Sequence, residues 1–159
     1  MALFPGIKTG TLITTAAESQ DSDRKGYLLT EEVFLMYNFN FYMPTKVLFG
    51  PGRLQDLHKE QLPGKKALIV TSNGSSVKRF GYLDAVKKEL DLAGVGYEVF
   101  AKVRPNPTDY NVMDGAKMAR DTGCDFVVAL GGGSVMDCAK CIALMMTNDG
   151  HIWDYSLSE

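Results

Sequence analysis

The chain has 159 residues, of which 45% are hydrophobic and 23% charged, a composition typical of one globular domain. Its 17 basic and 19 acidic residues are scattered and give a net charge of -2, so we expect neither nucleic acid nor a membrane surface as a partner. No apolar stretch reaches the roughly 18 residues that a membrane span needs. The N-terminus also lacks an export core, which predicts a cytoplasmic location.

The first 35 residues differ from the rest of the chain. The stretch Glu18–Lys25 is too polar to pack into a core, whereas a denser apolar pattern begins at Met36. We therefore predict an N-terminal extension over residues 1–35, with a composition that favours disorder, and a single domain over residues 36–159. The alternative is a short helix over Leu29–Leu35 that docks on this domain.

Extended segments open the predicted domain. Aromatic residues at Phe39 and Phe41, followed by the apolar run Val47–Phe49, predict an N-terminal strand pair or β-hairpin. The turn residues Gly50-Pro51-Gly52 end this region. Leucines between Leu54 and Leu62 then predict a short helix.

Strands and helices alternate from there to the end of the chain. Short runs that are wholly or mostly apolar predict buried strands, and apolar residues at helical spacing predict the helices between them. The strands are Ala67–Val70, Tyr97–Phe100 and Phe126–Leu130, and the helices have inner faces at Leu83, Val86 and Leu90, at Val112, Ala116 and Ala119, and within Ser134–Met146. This order predicts an α/β fold with a mainly parallel sheet, whose ligands bind at the carboxyl ends of the strands.

The run Gly131-Gly132-Gly133-Ser134 lies between the last strand and the last helix. Three glycines remove side chains where a ligand approaches the backbone, and the start of a helix attracts anions. We predict that this loop binds a pyrophosphate, with Ser134 capping the helix and Asp137 completing a capping box. A purely structural turn is the alternative, because the loop matches neither the G-x-G-x-x-G fingerprint nor a Gly-Lys-Ser/Thr phosphate loop.

Four ordered motifs resemble those of iron-containing (group III) alcohol dehydrogenases. The segment Gly131–Lys140 resembles the family signature GGGSxxDxAK, and Ser76–Asp84 is similar to the butanol dehydrogenase branch. The other two motifs are Phe39–Gly52 and the turn Pro105-Asn106-Pro107. The resemblance extends from about residue 37 to the end. It implies the family's N-terminal cofactor-binding domain, a Rossmann-like sheet flanked by helices, as in the related dehydroquinate synthases.

The resemblance implies a reductase that interconverts alcohols and aldehydes. Hydride would pass between a nicotinamide and the carbonyl carbon, while iron or zinc polarises the carbonyl oxygen. We expect the cofactor to contact the glycine loop, the polar loop after the predicted strand Ala67–Val70, and the later proline-rich turn. The candidate residues are Ser72, Asn73, Gly74, Ser75, Ser76, Lys78, Asn106, Gly131, Gly132, Gly133, Ser134 and Asp137.

The residue at position 72 bears on which dinucleotide is bound. In many NAD-preferring members of the family, an Asp stands where this chain has Ser72, and such an acid binds the ribose 2′-hydroxyl. With no carboxylate there to repel a 2′-phosphate, we predict NADPH over NADH, which remains the alternative. The basic residues Lys78 and Arg79 lie nearby, although both could simply be solvated at the start of a helix.

The family's metal ligands, one Asp and three His from beyond the first domain, have no match here. The two histidines are His58, predicted to lie on the surface, and His151, predicted to lie in a loop near Trp153. We therefore expect no catalytic or metal-binding residue in this chain and no turnover by the chain alone. We also expect exposed apolar surface that favours a homo-oligomer or a missing C-terminal domain.

The cysteines Cys124, Cys138 and Cys141 are expected to be reduced and to pack as small hydrophobic residues. The last two form a C-x-x-C pair, but inside a predicted helix rather than at its start, where a thiolate would be stabilised.

Two other functions stay open at this point. One is a stand-alone nucleotide-binding or interaction module without catalysis, and the other is a relative of glycerol dehydrogenase.

Overall fold

A computed structural model describes residues 2–5, 45–74 and 76–156. The chain forms two compact units, one of residues 1–9 and 48–159 and the other of residues 10–47. Of the second unit, only residues 45–47 are described, and they have no regular secondary structure. The predicted boundary at residue 36, the helix alternative over Leu29–Leu35 and the aromatic pair Phe39 and Phe41 lie outside the described residues and stay predictions.

The first unit contains a four-stranded sheet in the order β1-β4-β2-β3. Its strands are β1 (Ala2–Pro5), β2 (Lys66–Ser72), β3 (Gly96–Val103) and β4 (Phe126–Leu130). Strand β2 pairs in parallel with both β3 and β4, which confirms the predicted parallel sheet. Strand β1 pairs antiparallel with β4, in a segment for which the sequence predicted no strand.

Helices follow each of the parallel strands. They are α1 (Ser76–Arg79), α2 (Tyr82–Leu92), α3 (Asp109–Thr122) and α4 (Gly133–Met145). Two 3₁₀ helices cover Arg53–Lys59 and Ile152–Tyr155. Of the helices in the described part of the chain, none has the length and apolar character needed to cross a membrane.

Two of the early predictions are wrong in detail. The short helix predicted within Leu54–Leu62 is a 3₁₀ helix that ends at Lys59. The run Val47–Phe49 is not a strand, and the side chains of Val47 and Phe49 are 74% and 94% exposed. This run pairs with no strand among the described residues. A β-favouring composition alone does not form a strand without such pairing.

The core lies on both faces of the sheet because successive residues of β2 face opposite sides. Leu68 and Val70 belong to the cluster that packs against α3 and α4, whereas Ile69 belongs to the cluster that packs against α2. All five residues of β4 are buried. Burial on both faces explains why these strands are continuous apolar runs, and it leaves their carboxyl ends as the place for polar loops.

Candidate functional site

The carboxyl ends of β2, β3 and β4 lie side by side at one edge of the sheet, which we call the carboxyl edge. In the ladder, Thr71 is opposite Leu130 and Ser72 is opposite Val103. The loops that leave these strands therefore start next to one another. Ligands of parallel sheets bind at such an edge, so the two polar loops singled out in the sequence meet where a ligand is expected.

Thr71 ties the glycine loop to the middle strand. Its side chain is 1% exposed, and its hydroxyl donates a hydrogen bond to the carbonyl oxygen of Leu130 at 2.9 Å. Leu130 is the residue before Gly131, so this bond fixes the point from which the loop departs. Sequence reasoning missed Thr71, although a single hydroxyl at the end of an apolar strand is the signal that could have revealed it.

The three glycines of the loop are required for different reasons. A Cβ at Gly131 would lie 2.7 Å from Cγ2 of Val135, so packing of the protein itself excludes a side chain there. A Cβ at Gly132 or Gly133 would meet no atom within 4 Å. The space beside these two glycines is open, which is the space that a ligand approaching the backbone would need.

Helix α4 begins one residue earlier than predicted, at Gly133, with Gly132 as its N-cap. The amides of Val135 and Met136 donate to the carbonyl oxygen of Gly132 at 3.1 and 3.0 Å, so Ser134 lies within the first turn. The prediction that Ser134 caps the helix is therefore wrong, and no side chain caps it. Since the first amides of a helix have no acceptor within it, this start offers N–H groups to an anion.

Asp137 does not complete a capping box, because it lies beyond the first turn of α4 and the N-cap is a glycine. Its carboxylate is exposed and accepts a hydrogen bond from Nζ of Lys140 at 3.2 Å. Among the described contacts, Asp137 is therefore paired along its own helix rather than with the glycine loop.

The loop after β2 is held against the end of β3. The amide of Asn73 donates to the carbonyl oxygen of Val103 at 3.2 Å. Ser72 is half-buried where the strand ends, while Asn73 and Gly74 are exposed. Of the other candidates, Ser75 lies outside the described residues, and Ser76 and Lys78 belong to the short helix α1.

The turn after β3 has an unusual backbone. Asn106 has a φ of 52°, in the left-handed region that asparagine tolerates better than most residues. The amide of Thr108, the N-cap of α3, donates to Oδ1 of Asn111 at 3.4 Å. Nδ2 of Asn111 in turn donates to the carbonyl oxygen of Lys102 at 3.3 Å. These bonds hold both ends of the turn and so fix the position of Asn106.

An open cleft of about 750 Å³ lies between the loops after β2 and β3. We call it the edge cleft; its polar lining includes Asn73, Lys102, Arg104, Asn106, Thr108 and Asn111. Among the described lining residues, two are basic and none is acidic. A cleft of this size accommodates a small organic ligand, and its charge favours an anionic one.

The histidines lie in different surroundings. His58, predicted to lie on the surface, is half-buried: its side chain is 31% exposed, and its Nδ1 lies 2.5 Å from Oε2 of the buried Glu89. This hydrogen bond lowers the pKa of the Glu89 carboxyl, against the opposing effect of burial. His151 lies beside Trp153 as predicted, with Nδ1 accepting from the Trp153 amide at 3.4 Å.

The cysteines are free thiols, as predicted; Cys124 and Cys138 are buried and Cys141 is half-buried. Burial raises the pKa of all three, that of Cys138 to about 11. A redox pair needs a thiol with a lowered pKa, so the C-x-x-C pair does not fit that role. Within the described residues, no three His, Cys, Asp or Glu side chains are grouped as metal ligands.

Known proteins resemble this chain over its larger part. The family model for iron-containing alcohol dehydrogenases matches residues 44–159. A probable NADH-dependent butanol dehydrogenase 1 from Bacillus subtilis is 40% identical over 119 residues, which are 75% of this chain and 31% of that protein. The NADPH-dependent aldehyde reductase YqhD of Escherichia coli is 41% identical over 109 residues, 68% of this chain and 27% of that protein.

The fold is similar to that of a solved relative. The crystal structure of an NADH-dependent butanol dehydrogenase A from Thermotoga maritima matches with a TM-score of 0.67 and 34% identity, covering 74% of this chain and 30% of that one. The match lies in the N-terminal portion of these relatives. The chain thus spans less than a third of their length.

Proposed function

Because the chain belongs to the iron-containing alcohol dehydrogenase family, we propose that it forms the cofactor-binding part of a reductase that interconverts aldehydes and alcohols. One observation carries this proposal: Gly132 and Gly133 leave open space beside the uncapped start of α4. Such a combination of missing side chains and free amides suits a pyrophosphate. When bound, the dinucleotide supplies the hydride, and the metal of the family polarises the substrate oxygen.

The residues of the carboxyl edge have separate roles in this proposal. The amides at the start of α4, those of Gly133 and Ser134, donate to the pyrophosphate, while Gly131 lets the loop turn against Val135. Thr71 holds the loop in place through Leu130. The adenosine half lies toward the edge cleft, where Ser72, Asn73, Gly74 and Asn106 contact it. Ser76 and Lys78 of α1 follow that loop, and Ser75 is assigned to the site from the sequence alone.

We propose NADPH rather than NADH as the preferred cofactor. The relatives do not decide this point, since their names include both NADH-dependent and NADPH-dependent enzymes. The proposal is supported by Ser72, which puts no carboxylate at the end of β2, and by an edge cleft whose described lining has basic but no acidic residues. An acidic residue in this region would favour a free ribose 2′-hydroxyl and repel a phosphate.

A calorimetric titration of the 159-residue chain with NADPH and with NADH tests the proposal. We expect tighter binding of NADPH, and we expect Ser72→Asp to weaken NADPH binding about tenfold, or about 1.4 kcal/mol, with a smaller effect on NADH. The matched control is Gln55→Glu, which adds the same charge in the 3₁₀ helix Arg53–Lys59, outside the lining of the edge cleft. Tighter binding of NADH by the unmodified chain would overturn the NADPH preference.

Catalysis is a separate part of the proposal and needs its own experiment. The chain spans less than a third of its relatives, and its described residues include no metal-ligand group. We therefore expect a polypeptide of these 159 residues to bind the cofactor without reducing butyraldehyde when iron or zinc is added. Metal-dependent oxidation of NADPH by this polypeptide would show that catalysis needs no further part of the enzyme.

A further inference from the structure

One arginine of the edge cleft has no acidic partner among the described residues. Arg104 directly follows β3 and is exposed. The other described arginines are engaged: Arg53 pairs with Asp56 at 2.7 Å, Arg79 lies over the ring of Phe80, and Arg120 donates to the carbonyl oxygen of Met145. Arg104 therefore offers a free guanidinium to whatever enters the cleft.

The second basic residue of the cleft, Lys102, is less available. Its Nζ lies 2.8 Å from Oδ2 of Asp114, and it also lies 5.7 Å from the centre of the Phe100 ring. The carboxylate of Asp114 offsets the charge of this lysine. The uncompensated positive charge in the described lining of the cleft thus belongs to Arg104.

Arg104 also lies close to the loop that the sequence links to cofactor choice. Ser72 is opposite Val103 in the ladder, and the amide of Asn73 donates to the carbonyl oxygen of Val103. Arg104 is the next residue along the chain, so its side chain starts one residue from the contact that joins the two loops. Both Asn73 and Arg104 line the same cleft.

We propose that Arg104 binds the 2′-phosphate of NADPH and so sets the cofactor preference. This inference rests on the proposed function and deepens it by naming the side chain that distinguishes the two dinucleotides. The paired N–H groups of a guanidinium match two phosphate oxygens, which gives stronger and more directional bonds than a hydroxyl can. NADH carries a hydroxyl at this position of the ribose, so it gains nothing comparable from Arg104.

Two nucleotides that lack the nicotinamide half isolate this contact. Adenosine 2′,5′-bisphosphate carries the phosphate in question, and adenosine 5′-monophosphate does not. We expect calorimetry to show tighter binding of the bisphosphate by the unmodified 159-residue chain. Arg104→Ala should weaken binding of the bisphosphate about tenfold, the loss expected for a charged hydrogen-bond partner, and leave the monophosphate unchanged.

Controls separate a specific contact from a general charge effect. Arg53→Ala removes the same charge outside the cleft lining and should change neither affinity. Arg104 is exposed, so its replacement should leave the thermal unfolding curve unchanged. An equal loss for both nucleotides in Arg104→Ala, or no loss for either, would overturn the assignment of Arg104.

The outcomes also distinguish this inference from the proposed function. If the unmodified chain prefers the bisphosphate and Arg104→Ala keeps that preference, only the role of Arg104 is wrong. If the unmodified chain binds both nucleotides equally, the NADPH preference fails and the role of Arg104 fails with it. If it binds neither of them and no dinucleotide, the cofactor-binding function itself is overturned.

Discussion

Two regions of the carboxyl edge are built in different ways. The loop after β4 offers backbone amides and the open space beside Gly132 and Gly133. The edge cleft instead offers side chains, among them Arg104, which has no acidic partner in the described part of the chain. Backbone amides recognise any pyrophosphate, but a side chain can recognise what differs between two dinucleotides. We therefore expect affinity for the pyrophosphate and preference between the two dinucleotides to reside in separate regions, so that a mutation can change one without the other.

The largest effect on stability should follow Gly131→Ala. The new methyl group would lie within 3 Å of two carbon atoms of Val135, which is itself buried, so the turn would have to shift. Overpacking of this kind costs about 1–3 kcal/mol. We expect urea denaturation to show a loss of that size in the free energy of unfolding. Gly133→Ala is the control, and an equal stability of both variants would contradict a structural role for Gly131.

The double replacement of Gly132 and Gly133 by Ala should lower cofactor affinity and leave stability almost unchanged. No atom lies within 4 Å of either new methyl group, and Gly132 has an extended backbone that alanine can adopt. We expect stability to change by no more than about 0.5 kcal/mol, as for most surface changes. Affinity for both NADPH and NADH should fall about tenfold, about 1.4 kcal/mol, because the methyl groups fill the ligand's space. Calorimetry showing unchanged affinity would mean that the dinucleotide does not approach this loop.

A smaller effect is expected at the bond that ties the glycine loop to β2. Thr71→Val keeps the shape of the side chain but removes the hydroxyl that donates to the carbonyl oxygen of Leu130. Loss of one buried hydrogen bond costs about 1 kcal/mol. We expect that decrease in urea denaturation and a modest fall in NADPH affinity. Thr71→Ser keeps the donor and should retain the affinity, whereas equal affinities in the Val and Ser variants would exclude a positioning role for the hydroxyl.

The smallest effect on stability should come from lowering the pH, and it should arise at a contact away from the carboxyl edge. The hydrogen bond from His58 holds the pKa of Glu89 below its usual value of 4.5. The ionised carboxylate therefore stabilises the fold above that pH, and this contribution is lost as the pH falls through the lowered pKa. We expect Glu89→Gln to show a shallower loss of stability than the unmodified chain in urea denaturation below about pH 4.5. Parallel pH profiles would contradict the assignment.

Most strands and helices could be predicted because their burial leaves a local pattern in the sequence. Strands β2 and β4 are buried on both faces, so continuous apolar runs located them, and the spacing of apolar residues located the helical faces. Strand β3 contains Glu98 and is only partly buried, so no continuous run marks it. The three glycines were recognisable as a ligand loop. That Gly131 is needed for packing, unlike Gly132 and Gly133, depends on where Val135 packs. The first turn of α4 was misplaced because a glycine N-cap leaves no side-chain signal.

Contacts between residues far apart in the chain could not be predicted from the sequence. His58 looked exposed because its partner Glu89 lies 31 residues away in the chain. The sequence showed Arg104 only as part of a turn. That no described acidic residue pairs with it depends on which side chains surround it in the fold. Predictions from sequence therefore succeeded where a local pattern determines the structure and failed where a contact across the sheet does.

Amide NMR spectra of the 159-residue chain, recorded during an NADPH titration, would test the location of the cofactor most directly. A dinucleotide bound across the carboxyl edge should shift the amide signals of Gly132–Ser134, Asn73 and Arg104 together, and saturate them at one concentration. The amides of Lys66 and Phe126, at the opposite ends of β2 and β4, should not move. Shifts confined to those opposite ends, or no shifts at saturating NADPH, would show that the carboxyl edge is not the cofactor site.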